Sequence, residues 1–499
     1  MIIITIILSL SFVLFWYVIK RFYKTKHNYW NLKGIPYLTP SFPFGNFQNP
    51  LKLKKSTYLH LQDIYNQLKL KGAKIGGMYV GTMPSLLLID PNIIKKVFVQ
   101  DFQYFMDRGV HCDEISEPLS AHLFALSGQK WKNLRVKLTP TFTTGKMKIM
   151  FYILIECAKV MVQKMNDETK INRDLDIKEI VACYTTDVIA SAAFGIKSNS
   201  FEENSQFRFY GRKLLVNTPA RLFRVFFLDF YPNFAKKLGL TVFERDINDF
   251  FMKSVKDMIE YRESTNFRRN DFFQILLDLK NSKDKDQNLS VNELAAQAFV
   301  FFTAGFETSS TTMQFALYEL SKHPEIQQKA REEVLNVLQK SNGEINYEIL
   351  AEMKYLTQII EETIRKYPPL PFLNRKCVKE YFVPECNVTI DEGTRIMIPL
   401  FGLHYDEEYF PNANEFNPER FNEINKPKIP PFAYLPFGDG PRICIGLRFG
   451  MMQSKLGLAL ILKHFRFTLS EKTIEPVGFH KNNFLVSPEH TIYLNVTKL

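Results

Sequence analysis

The sequence predicts a mainly α-helical protein with small β-sheets, folded as a single large domain behind an N-terminal membrane anchor. Three observations lead there. Most of the 499 residues fall in helix-period segments separated by polar turns, and extended patterns are confined mainly to residues 75–89 and 382–400. Hydrophobic residues make up 46% of the chain and include 45 Phe, enough for one large aromatic core. Residues 2–19 (IIITIILSLSFVLFWYVI) carry no charge at all.

That first segment is the anchor. At 1.5 Å per residue its 18 residues span about 27 Å as a helix, close to the ~30 Å of a hydrocarbon core. Phe15, Trp16 and Tyr17 suit an interfacial belt, and Lys20, Arg21, Lys24 and Lys26 follow at once. A cleaved signal peptide would have positive charge before the apolar run and a small-residue site after it, so residues 1–20 read as an uncleaved signal anchor. The alternative is a buried core helix. Positive charge on the C-terminal side leaves the N-terminus lumenal and the remainder cytosolic. Residues 21–47 form a basic linker punctuated by Gly34, Pro36, Pro40 and Pro43, and residues 48–499 form the single large domain. Within that domain, residues 281–290 (NSKDKDQNLS) read as a charged surface loop, and residues 388–400 (VTIDEGTRIMIPL) as strands around a hairpin-like DEG turn.

Charge and cysteine usage exclude several classes. The balance of +12, from 64 basic and 52 acidic residues, fits a membrane surface or an acidic protein partner, or merely a soluble face. No arginine-rich arm or recognition motif supports nucleic-acid binding. The six cysteines are few and include no CxxC, which points to a reduced compartment without a disulfide scaffold or zinc knuckle.

One helix stands apart. Ser290-Val291-Asn292-Glu293 is a capping box, and nothing breaks the pattern before Pro324, so some thirty residues should run through the core as a helix. Its apolar middle nevertheless holds Gly305, Glu307 and Thr308. A buried Gly costs about 1 kcal/mol against Ala, and a buried Glu more unless paired or wetted. The three mark either a packing notch with a satisfied hydroxyl, or a local opening where a small ligand and water sit.

The stretch PFGDGPRICIG (residues 436–446) holds Cys444 in a glycine-rich loop ahead of a helical segment. A phosphate cradle is disfavoured because Pro441 removes an amide and neither nucleotide-binding fingerprint is present. A zinc site lacks a second ligand at the right spacing. A thiolate metal ligand remains. The glycines allow backbone amides to approach the sulfur, the helix start favours an ionised thiol, and a lone thiolate in apolar surroundings suits haem iron, where it favours O–O cleavage.

Five separated signatures in order, WKNLR (131–135), AGFETS (304–309), EETIR (361–365), NPERF (417–421) and the Cys444 loop, resemble the cytochrome P450 family over essentially the whole chain. FMDRG (105–109) and PFGDGPRICIGLRFGMMQ are most similar to its insect microsomal branch, which clears xenobiotics. The resemblance implies haem b (iron protoporphyrin IX) with Cys444 as the axial iron ligand in a loop including Phe437 and Gly438. It makes Trp131, Arg135, Arg442 and Arg375 partners of the haem propionates, with Arg108 a further candidate. By residue type alone, Trp131 and Arg135 are simply four apart on one helix face. Glu362 and Arg365 could likewise be an exposed pair worth ~0.2–0.5 kcal/mol. In the family they join Arg420 in a buried network, which is structural. Thr308 and Glu307 are implied to be catalytic, delivering protons to dioxygen, with Gly305 leaving room for it. Glu407 stands where relatives often have proline.

The implied activity is insertion of one oxygen atom from O2 into a lipophilic substrate, a xenobiotic or an endogenous hormone or lipid, at the cytosolic face of the endoplasmic reticulum membrane. No NAD or flavin fingerprint is present, so the resemblance implies electrons from an NADPH-dependent flavoprotein reductase. The rivals are a haem-thiolate isomerase or dehydratase that needs no reductase, and a non-enzymatic gas-binding haem protein. Residues 110–122, 207–227 and 476–486 are expected to shape the substrate pocket.

Overall fold

The computed structural model describes residues 2–49, 53–284 and 288–499, so the tip of the expected loop at 285–287 lies outside the described residues. Long helices build the body, and the first of them stands clear of it. Ile2–Lys26 is helical with none of its residues buried, and it is the one helix among the described residues long and apolar enough to cross a membrane.

The segment that follows this helix is packed against the body. Trp30 is buried, its indole Nε1–H donating to the Met78 carbonyl at 3.0 Å. The ring lies on Gly77, where any Cβ would overlap it. Asn46 adds further bonds, donating to the Leu38 carbonyl and accepting from the Tyr79 amide.

The central helix, Val291–Lys322, runs for 32 residues, and its capping box forms as the sequence suggests. Its length, about 48 Å, crosses the whole body. Around it lie the helices Ile177–Phe194, Arg245–Thr265, Lys354–Lys366 and Leu447–His464. Ile177–Phe194 has sixteen of its eighteen residues buried, as expected of a helix apolar on every face. Phe194, Phe207, Phe251, Phe299 and Phe302 interlock edge to face or tilted over one stretch of the central helix. Each such pair adds about 0.5–1.5 kcal/mol beyond the area it buries.

The sheets are small. Four strands pair in the order Ile75–Val80, Met83–Leu88, Arg395–Pro399, Phe372–Lys376, with the middle pair parallel and the outer pairs antiparallel. Asp174–Asp176, Tyr493–Lys498 and Phe465–Leu469 make a second sheet, and Tyr381–Val383 with Val388–Ile390 a third. The DEG hairpin expected at residues 388–400 is therefore corrected. Val388–Ile390 and Arg395–Pro399 belong to different sheets. The turn between them bonds to Cys377 instead, through Gly393 N–H to its carbonyl and its own N–H to Thr394. Asp391 is meanwhile held by Tyr29 and Lys33.

Candidate functional site

The Cys444 loop is shaped by two glycines in left-handed backbone conformation, Gly438 (φ +67°) and Gly440 (φ +69°). A Cβ at Gly440 would also run into the Phe98 carbonyl, so both conformation and space exclude a side chain there. The Cys444 amide donates to the Phe437 carbonyl at 3.0 Å, and the helix Leu447–His464 begins three residues later. Cys444 is deep in the protein yet open to an internal cavity. Burial pushes its thiol above the ordinary range, while the Gly446 backbone and the charges of Arg108 and Arg135 act the other way. For the bare thiol, burial outweighs the polar surroundings that the sequence suggests should ionise it.

The cavity has a volume of about 580 Å³ and is walled by the middle of the central helix, the Cys444 loop and the helix Gly128–Leu138. Four arginines border it: Arg108, Arg135, Arg375 and Arg442. The guanidinium groups of Arg108, Arg375 and Arg442 lie on rings and donate to carbonyls. Arg442 is 4.1 Å over Trp131 and donates to the Leu126 carbonyl at 2.7 Å. Arg375 is 4.1 Å over Phe98, and Arg108 4.2 Å over Phe124. Among the described residues the sole carboxylate within ion-pair reach of any of the four is Asp107, 3.7 Å from Arg442. The Nε–H groups of Arg375 and Arg442 are buried without a partner. Burial lowers Arg108 to about 10 and Arg442 to about 9. Arg375 falls well below its usual value through burial and through repulsion by Arg108 and Arg442.

Four buried or half-buried arginines against one carboxylate, beside one thiol in an apolar chamber, is an unbalanced set. It fits a large planar ligand that brings two carboxylates to the arginines and a metal to the sulfur, so the donor set suits haem. Of the expected cofactor residues, the structure brings Cys444, Arg442, Trp131, Arg135, Arg375, Phe437 and Gly438 to the same cavity, together with Arg108.

Thr308 and Glu307 also border the cavity, but no hydrogen bond joins them among the described residues. Thr308 Oγ1 donates to the Ala304 carbonyl at 2.6 Å. Glu307 points one carboxylate oxygen at Lys178 Nζ, 2.8 Å away, and leaves the other buried without a partner. Gly305 is where a helix comes close: a Cβ there would meet the side chain of Ile189. Gly305 also lines the cavity, so the contact with Ile189 adds a packing role beside the expected space for oxygen.

Glu362, Arg365 and Arg420 meet away from the cavity. Arg365 forks onto both Glu362 oxygens (2.7 and 2.8 Å) and reaches the carbonyls of His404 and Ala413. Arg420 Nε and the Asn417 amide donate to Glu362 Oε1 at 3.3 and 3.0 Å. Glu362 and Arg365 are fully buried. Glu407, the departure from proline, caps a neighbouring turn by accepting from the Ala413 amide.

Sequence reasoning missed Lys178 and Asp107, whereas His122 falls in the stretch 110–122 expected to shape the pocket. Lys178 is far from Glu307 in the chain, and no local pattern marks it. Asp107 does have a signal, being part of FMDRG, and it holds the start of the helix Gly128–Leu138 by accepting from the Gly128 amide at 2.7 Å. His122 borders the cavity, and burial lowers it to about 4, so it is neutral near pH 7.

A thiol facing an apolar chamber ringed by four arginines with a single nearby carboxylate, beneath a long helix, defines a haem-thiolate class of oxidoreductase. The family model for cytochrome P450 matches residues 39–496. The chain is 40% identical to cytochrome P450 6A1 of Musca domestica over 484 residues, covering 95% of this chain and 94% of that one. It is also 40% identical to the probable cytochrome P450 6a14 of Drosophila melanogaster over 491 residues, covering 95% and 96%. The chain belongs to the cytochrome P450 family and is a monooxygenase.

Proposed function

We propose that the protein is a membrane-anchored monooxygenase that inserts one oxygen atom from O2 into lipophilic substrates, either xenobiotics such as insecticides and plant toxins or endogenous hormones and lipids. The observation that carries this is the cavity itself, whose apolar walls enclose Cys444 on one side and the central helix on the other. Haem b, when bound, supplies the activation of dioxygen. Cys444 would hold the haem iron through its sulfur. Arg135, Arg375, Arg442 and Arg108 would neutralise the two propionates, with the Trp131 indole N–H as a further donor, and this would relieve the repulsion among the arginines. Thr308 presents its hydroxyl to the chamber and can orient a water there, while Glu307 carries protons inward through its unpartnered oxygen. Phe124, Phe243, Phe299 and Phe484 line the chamber and favour hydrophobic guests.

Electrons come from NADPH through a flavoprotein reductase, whose acidic surface the basic excess suits. The uncharged helix and the cations after it support a location in the endoplasmic reticulum membrane with the body on the cytosolic face. The test is reconstitution with the reductase and a panel of lipophilic compounds. NADPH consumption that requires reductase and yields a product with one oxygen from labelled O2 supports the proposal. Peroxide rearrangement without reductase indicates an isomerase, and reversible gas binding without turnover indicates a storage or sensing protein.

A further inference from the structure

Glu117 belongs to a tight loop of residues 113–120 and is itself buried. Asp113 holds the loop from within: its carboxylate accepts from the Ile115 and Ser116 amides, and its own amide donates to Ser120 Oγ at 2.9 Å. The loop rests on the central helix, where Leu119 is buried and the Leu123 amide donates to Gln297 Oε1 at 2.9 Å. The Glu117 carboxylate turns out of the loop to a distant segment. Its Oε1 accepts from the Phe243 amide at 2.7 Å and its Oε2 from the Val242 amide at 3.1 Å. These amides stand just before the helix Arg245–Thr265, whose cap residue Glu244 is taken up by Arg221 and Arg224. His111 stands beside the clasp, its Nε2 3.8 Å from Glu117 Oε2.

The segment held in this way carries a ring into the cavity. Phe243 borders the cavity and stands edge-on to Phe299 of the central helix, with ring centroids 4.9 Å apart. One carboxylate on two successive amides fixes the backbone from which that ring projects. We propose that Glu117 is a positioning residue for the substrate wall: by clasping the amides of Val242 and Phe243 it fixes the Phe243 ring, and so sets how bulky a guest the cavity admits. This rests on the reading of the cavity as the place where lipophilic compounds bind. A glutamine at 117 has one acceptor oxygen and brings an NH2 group against the second N–H, so one amide loses its partner and the segment loosens.

The variants are Glu117→Gln, Phe243→Ala and the double Glu117→Gln/Phe243→Ala, each as the full-length haem-loaded protein. The probes are imidazole and bifonazole, a small and a bulky aryl-bearing ligand of haem iron, followed by the shift of the Soret band. The first readout is the ratio of the bifonazole Kd to the imidazole Kd. It should fall several-fold in Glu117→Gln and in Phe243→Ala and no further in the double variant, while the imidazole Kd stays at its wild-type value. The second readout is hydrogen exchange and needs no ligand. The amides of residues 242–243 should exchange several-fold faster in Glu117→Gln, and those of residues 296–302 at the wild-type rate. Unchanged exchange at 242–243 overturns the clasp. Faster exchange there with an unchanged ratio overturns the control of guest size. A double variant whose ratio falls several-fold below that of either single variant overturns action through Phe243. A ratio that Phe243→Ala leaves at wild type overturns the reading of this wall as the binding place, whatever Glu117 does. If Glu117→Gln does not fold, Glu117→Asp serves in its place: it keeps the charge but is too short to reach both amides, so both readouts should move the same way, and wild-type values would overturn the proposal.

Discussion

Replacing Glu362 with Gln keeps the size of the side chain and removes its charge. Arg365 then remains fully buried without its counter-ion, and the Gln amide leaves one acceptor oxygen for the donors that shared two, from Arg365, Arg420 and the Asn417 amide. Breaking a buried pair by removing one partner costs about 3–5 kcal/mol. At ~2.1 cal/mol/K per residue, a chain of 499 residues has an unfolding entropy near 1 kcal/mol/K, so about 4 kcal/mol lowers Tm by roughly 4 °C. The assay is thermal unfolding of the haem-loaded protein followed by far-UV circular dichroism, beside haem content per chain measured at low temperature. Because the network joins the helix Lys354–Lys366 to residues 404–420 and hydrogen-bonds to no residue that lines the cavity, unfolding and haem loss should move together. A variant that loses haem while its unfolding midpoint is unchanged would refute this reasoning, since the network would then act on the cofactor directly.

Other outcomes follow from the same structure. Arg375→Ala should lower haem retention, yet raise the melting temperature of protein prepared without haem, because it removes a buried cation repelled by Arg108 and Arg442; equal losses in both preparations would contradict this. Gly440→Ala should cost clearly more than the ~1–2 kcal/mol of a left-handed L-residue, because its Cβ also meets the Phe98 carbonyl. Gly343→Ala, at φ +82° with nothing within 4 Å, should cost only that amount, and equal urea midpoints for the two would argue against the clash. His404 is buried, accepts from the Leu435 amide, and is pushed down to about 3 by burial and by Arg365. Its unfolded form binds a proton near pH 6.5, so the folded state is fully favoured above that value and loses stability as pH falls from 6.5 toward 3. His122, lowered to about 4, acts in the same direction. Urea midpoints should therefore drop by a few kcal/mol equivalents over this range, less so in His404→Gln; a flat wild-type profile would contradict the assignment.

Much of this was legible from local sequence. The Ser290–Glu293 box and the run to Pro324 define the central helix, because capping and periodicity act over a few residues. Cys444 with its glycines is legible for the same reason: backbone conformation is written in residue type. What escaped depends on contacts distant in the chain. The DEG turn has hairpin chemistry, but the strands beside it find partners at Tyr381–Val383 and Met83–Leu88, which no local rule foresees. Trp30 sits in a segment that reads as linker, and only the bare surface of Gly77 explains its burial. Gly305 by itself does not reveal that a second helix packs there, because Ile189 comes from a distant part of the chain. The Lys178–Glu307 pair joins two helices, so each residue by itself looks like an ordinary charge.

The central claim, that Cys444 supplies a thiolate to haem iron, is tested most directly by the carbon monoxide difference spectrum of the dithionite-reduced protein, wild type beside Cys444→Ser. The account predicts a thiolate-type Soret band in wild type that disappears in the variant. An imidazole-type band in well-folded wild-type protein, unchanged by the substitution, would contradict it.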